Sequence, residues 1–70
     1  MEELQQKLIR EELKEDQIQL LRKIKKSKRF LESEAFKKYT AKQKYFFTAQ
    51  LAAMKSYYFI ITLRLEEGLK

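Results

Sequence analysis

Apolar residues return along the first part of the chain at Leu13, Leu20, Ile24 and Leu31, separated by 7, 4 and 7 positions. Such steps come back to one side of a helix with 3.6 residues per turn, so the pattern predicts a helix over about residues 3–30. Leu4, Leu8 and Ile9 extend the stripe less regularly. Gln17 and Ser27 fall on it and predict polar layers or a narrow contact. Acids cluster early in this segment (Glu2, Glu3, Glu11, Glu12, Glu15, Asp16) and bases late (Arg22, Lys23, Lys25, Lys26, Lys28, Arg29), an order that also suits the helix macrodipole.

The stretch FLESEAFKKYT breaks that period. Ser33 can cap a short helical turn over about residues 34–39, carrying Ala35, Phe36 and Tyr39 as a plug for the end of a hairpin. Thr40 followed by Gln43 has the spacing of a capping box, in which each side chain satisfies the other residue's backbone N–H. A last helix is therefore expected over about 41–67, closed by Gly68 as its left-handed residue, with Leu69 folding back on Leu63 or Arg64.

That last helix is apolar on more than one side. Sixteen of the 25 residues from Ala41 to Leu65 are apolar or aromatic. Phe47, Leu51, Met54, Tyr58, Ile61 and Leu65 alternate steps of 4 and 3 and form one heptad-like seam. A second seam runs beside it through Phe46, Gln50, Ala53, Tyr57, Ile60 and Arg64, and a third through Tyr45, Ala52, Phe59 and Leu63. One partner helix covers one seam, so the remainder calls for further neighbours, which copies of the same chain can supply. A membrane span is the rival explanation, but Lys55 and Arg64 would each cost about 2.5–3.5 kcal/mol in a bilayer centre. An interfacial membrane helix fits poorly too, because the basic residues sit on a different helix from the apolar face.

Composition narrows the fold class to all-α. The 70 residues hold one glycine and no proline, leaving strands and tight turns without their usual punctuation. The expectation is a single domain over residues 1–70: a long helical hairpin with a short helical turn between two long helices, assembling as a homo-oligomer. A chain this short buries only about 60% of its unfolded surface. With no cysteine and no histidine, neither a disulfide nor structural zinc can reinforce it. The start MEELQQKL lacks the basic and apolar regions of a secretory signal, which predicts an intracellular protein.

Chemistry follows from the same inventory. No Ser-His-Asp triad, thiolate or zinc site can be assembled without His or Cys, and no glycine-rich phosphate loop is present, so no enzyme is expected and no cofactor is called for. Sixteen Lys and Arg against ten Asp and Glu give +6, which favours anionic partners. The run RKIKKSKR, residues 22–29, sets Lys23 and Lys26 three apart, able to face one anion; Arg22, Lys25 and Arg29 form a similar set. Arg64 sits among Tyr57, Ile60 and Phe46 and needs a counter-charge: Glu66, Glu67 or an acid of another chain, or a ligand phosphate. A tyrosine beside the basic run at a subunit seam would hold nucleobase and phosphate together.

Taken in order, these residues resemble a small phage-encoded family, the anti-CBASS cyclic-nucleotide sponges. The resemblance rests on Leu20, Lys23 with Ile24, and Phe30 with Leu31 in the first helix. In the second half it rests on Phe46 and Phe47, Gln50, Met54, Tyr57, Ile60 and Ile61, and Arg64 with Leu65. It covers about residues 13–66. It implies a helical protomer assembled into a homohexamer that holds cyclic di- or trinucleotides between protomers and starves a bacterial immune effector, in the cytoplasm of the infected host. Lys23 resembles the family lysine that contacts cyclic dinucleotides, and Arg64 the arginine of a separate cyclic-trinucleotide pocket. Leu8 stands where the family often has a stacking tyrosine, which implies a trinucleotide or an ADP-ribose-type messenger instead.

The resulting expectation is a non-enzymatic sponge whose ligand contacts are Lys23, Lys26, Arg64, Tyr57, Arg22 and Arg29. The alternative is a helical protein-interaction or assembly module without nucleotide binding. Non-specific nucleic-acid binding through residues 22–29 is the weakest option, because acids share that helix and no groove-reading scaffold is evident.

Overall fold

The structure, a computed structural model, describes residues 2–67. Helix α1 spans Glu2–Leu31, a short α2 spans Glu34–Lys37, and α3 spans Ala41–Glu67. No strand occurs among the described residues. The two long helices lie antiparallel in a rod of 53 × 16 × 16 Å. The expected cap at Gly68 and return of Leu69 fall outside the described residues.

Local chemistry accounts for each boundary. The last turn of α1 tightens through Ser33 N–H to the Phe30 carbonyl (2.9 Å), and Ser33 Oγ donates to the same carbonyl at 2.6 Å. Ser33 then takes an extended conformation (φ −84°, ψ 158°) and its hydroxyl accepts from the Phe36 N–H at 3.2 Å, capping α2. The capping box forms as the spacing predicts: Thr40 N–H donates to Gln43 Oε1 at 2.9 Å, and Gln43 N–H donates to Thr40 Oγ1 at 3.1 Å. The turn is made without glycine: the Glu32 and Ser33 N–H groups reach the Arg29 and Phe30 carbonyls, and Ser33 and Thr40 cap the two helices that follow.

The seam Phe47, Leu51, Met54, Tyr58, Ile61, Leu65 is the face of α3 turned to α1, with Leu51 and Ile61 buried. Leu13 and Ile24 answer from α1. Four buried aliphatic side chains, of which Ile61 alone is fully enclosed, make a thin core for a chain of this length. Phe30, Phe36, Tyr39 and Phe47 close the hairpin end, with neighbouring ring centroids 5.1–6.0 Å apart in tilted or edge-on contact. Gln17 is a true polar layer: its amide donates to Thr62 Oγ1 at 2.9 Å, and Thr62 donates on to the Tyr58 carbonyl at 2.9 Å.

The early apolar residues behave differently from the stripe they were expected to extend. Leu4, Leu8 and Ile9 are exposed. At 100° per residue Leu8 lies about 140° round α1 from Leu13, so it cannot share the packed side. Ile9 does share it, but α3 is ending there, with Arg10 Nη1 donating to the Leu65 carbonyl at 3.2 Å. The second and third seams of α3 remain open: Tyr45, Phe46, Tyr57, Phe59, Ile60 and Leu63 are 39–67% exposed. No helix among the described residues is long and apolar enough to cross a membrane.

Candidate anion-binding groove

Packing α3 on one side of α1 leaves a trench along the adjoining flank of the hairpin. At the hairpin end, a depression of about 530 Å³ is lined by Lys26, Ser27, Arg29, Phe30, Tyr39 and Phe47. The next, of about 310 Å³, shares Lys26, Ser27 and Phe47 with it and adds Lys23, Gln50 and Met54. The third, of about 190 Å³, shares Lys23 and adds Asp16, Gln19, Leu20 and Tyr57. Shared walls make these one trench, running about 15 Å from Phe47 to Tyr57 at 1.5 Å per residue.

Its composition alternates. Aromatic rings stand at the two ends, Tyr39 against Phe30 (centroids 5.4 Å apart) with Phe47 in the same wall, and Tyr57 at the far end. Between them two lysines from α1 face a strip of apolar and amide side chains, Phe47, Gln50 and Met54. Lys23 and Lys26 are three residues apart on one helix, so both ammonium groups can close on one anion. Among the described residues the one ion pair is Lys37 with Glu34 at 3.1 Å, neither of which lines the trench, and the trench cations hold no carboxylate within salt-bridge range. Asp16 sits in the wall at the Tyr57 end and biases anions toward Lys26 and Arg29.

The hairpin thus gathers four of the expected site residues. Lys23, Lys26 and Tyr57 line the trench directly, and Arg29 its hairpin end. Arg22 is exposed and follows Leu13 by nine positions, which carries it to the far side of α1, away from α3. Arg64 is exposed in the last turn of α3, seven residues and about 10 Å beyond Tyr57 on the same stripe. Within a single chain it makes no ion pair with Glu66 or Glu67 and lines no part of the trench. Reading the sequence alone assigns Phe30, Tyr39, Phe47 and Met54 to packing and misses their second role as trench wall. Gln50, the one amide of the second seam, is the signal that points to it.

The opposite flank carries a further depression of about 500 Å³, with Arg10, Lys14, Gln17 and Glu66 among its lining. It is less suited to an anion. Arg10 is spent on the Leu65 carbonyl, Gln17 on Thr62, and Glu66 adds a negative charge. No group of three His, Cys, Asp or Glu among the described residues is placed to hold a metal.

The open trench sets cations at its centre and rings at its ends, an arrangement with the chemistry to accept an anionic ligand. The chain belongs to the Sequestin family, whose model matches residues 2–67. The family's name denotes sequestration. No curated protein and no solved structure matches the chain.

Proposed function

We propose that the protein is a non-enzymatic sponge that binds and sequesters a cyclic nucleotide second messenger, blocking bacterial anti-phage immune signalling from the cytoplasm of the infected cell. The observation that carries the reading is the position of Lys23, which joins two depressions and so stands between Lys26 on one side and Tyr57 on the other. Phosphate on Lys23 and Lys26 with a base over Tyr57 or Tyr39 uses both halves of a nucleotide. The protomers associate through the uncovered seams of α3, as a homohexamer by the resemblance, and Arg64 then serves the ligand from a neighbouring copy.

Leu8 favours a particular ligand within this class. It is exposed and lies eleven residues, three turns, before Gln19 on the trench flank, where an aliphatic side chain offers no stacking ring. A second ring along that flank, which a cyclic dinucleotide would use, is therefore missing. The paired lysines and the remaining tyrosines suit a cyclic trinucleotide, one of whose phosphates sits on the cation pair, or a cyclised ADP-ribose, whose two phosphates are directly linked.

Titration calorimetry with a panel of cyclic dinucleotides, cyclic trinucleotides and cyclised ADP-ribose tests the proposal. Heat from one class, with the ligand recovered intact after the protein is denatured, is the expected result. Silence from the whole panel at micromolar protein overturns it and favours the other reading, in which the exposed aromatic face of α3 docks a protein partner.

A further inference from the structure

A basic face of α1 stands outside the trench. Asp16 and Glu32 bracket fifteen residues, 17–31, that hold six cations and no acid. At 100° per residue, Lys25, Arg29 and Arg22 lie about 100°, 140° and 160° round the helix from the buried Ile24. All three are therefore turned from α3, and all three are exposed. They follow one another at steps of about 4.5 and 6 Å along the axis. Of the three, Arg29 alone also reaches the trench, at its hairpin end.

The fold does not account for this row. Like charges at spacings of three and four oppose a helix, and Arg22 meets Lys25 and Lys26 in that way, as Lys25 meets Lys28 and Arg29. The helix dipole favours bases only in the last turn, which holds Lys28 and Arg29 but neither Arg22 nor Lys25. Other cations at the hairpin end have partners. Lys37 pairs with Glu34 at 3.1 Å, and the ammonium groups of Lys42 and Lys44 each lie 5.8 Å from a ring centroid, of Phe46 and of Phe36. Among the described residues no ion pair or ring contact of this kind involves Arg22, Lys25 or Arg29.

We infer that this face docks the phosphodiester backbone of a nucleic acid, gripping neighbouring phosphates without reading bases. A row of positive charge along a straight helix complements a polymer that repeats a negative charge along its length. Two of the three side chains are arginines, whose planar forks take phosphate oxygens two at a time. A protein or a membrane suits the face less. Between Arg22 and Arg29 the one apolar residue is Ile24, which is buried, so the face has no apolar centre for a protein interface and no side chain to insert into a bilayer. The acids of α1 that would repel a polyanion lie beyond either end of the row. This surface is distinct from the trench and stands whether or not the trench holds a cyclic nucleotide.

Fluorescence anisotropy of short labelled duplex DNA and single-stranded RNA, titrated with the full-length protein over a salt series, tests the inference. Three phosphate contacts give a slope of log affinity against log salt of about −2.7 on the duplex and about −2.1 on the single strand, so duplex affinity is expected to fall about fortyfold from about 50 to about 200 mM salt. Arg22→Ala and Lys25→Ala are each expected to make the slope shallower by about one. Lys55→Ala, which removes an exposed cation of α3, is expected to leave it unchanged. These side chains are exposed, and circular dichroism checks that each variant keeps its helices. Absence of binding to either nucleic acid at low salt overturns the inference. So does an equal change in Lys55→Ala, which would show a response to net charge alone, and so does an equal or larger change in Lys23→Ala, which would put the polymer in the trench. Tighter binding to vesicles of phosphatidylserine and phosphatidylcholine than to either nucleic acid assigns the face to a membrane surface and overturns it as well.

Discussion

Gln17 of α1 and Thr62 of α3 are joined by a 2.9 Å hydrogen bond across the hairpin, 45 positions apart in sequence. A polar pair inside an otherwise apolar seam fixes the alignment of two helices, because any slip leaves its donor without an acceptor. That alignment is what sets Lys23 opposite Tyr57. Thr62→Val removes the acceptor and is expected to cost about 1–3 kcal/mol. The double variant Gln17→Leu with Thr62→Val should recover most of the loss, as thermal unfolding followed by circular dichroism will show.

The paired lysines should dominate ligand affinity. Both are exposed, so removing either leaves the fold intact. Charge-assisted hydrogen bonds contribute about 1.5–3 kcal/mol each. Lys23→Ala and Lys26→Ala are therefore each expected to weaken binding by about tenfold to a hundredfold in calorimetry, with unchanged helicity.

Tyr57 distinguishes stacking from hydroxyl contacts. Loss of a base-stacking ring costs about 1–3 kcal/mol, so Tyr57→Ala should lose affinity on that scale while Tyr57→Phe retains it. Equal loss in both variants would assign the role to the hydroxyl instead.

Core substitution separates folding from binding. Ile61 is fully buried against α1, and Ile61→Ala is expected to destabilise by about 2–5 kcal/mol. Thr40→Ala, which breaks the capping box, should cost about 1 kcal/mol. Melting temperatures measured at one protein concentration check both.

Much of the hairpin is legible in the sequence because its determinants are local. The Thr40 and Gln43 pair, the Ser33 cap and the alternating steps of 4 and 3 from Phe47 to Leu65 each declare themselves within a few residues. The trench is not legible in that way. Lys23 and Tyr57 are 34 positions apart, and nothing in either neighbourhood fixes the register that brings them together. Tyr39 and Phe47 illustrate a different difficulty: aromatic residues at helical spacing read as core, and here one side of each ring packs while another side lines the groove. Leu8 misleads for a geometric reason, since a 140° offset is invisible to an eye that follows apolar spacing alone. Arg22 and Lys23 are neighbours in sequence, yet one turns from α3 and the other faces it.

The four interlocked rings at the hairpin end have a kinetic meaning. A wall already packed by Phe30, Phe36, Tyr39 and Phe47 has little ordering left to do when a small molecule arrives, which favours fast capture. With a basic mouth to steer anions, on-rates can approach about 10⁸–10⁹ M⁻¹s⁻¹ at low salt. If the protein is the sponge proposed above, it must outrun the receptor it competes with, and a wall packed before contact would give it that head start.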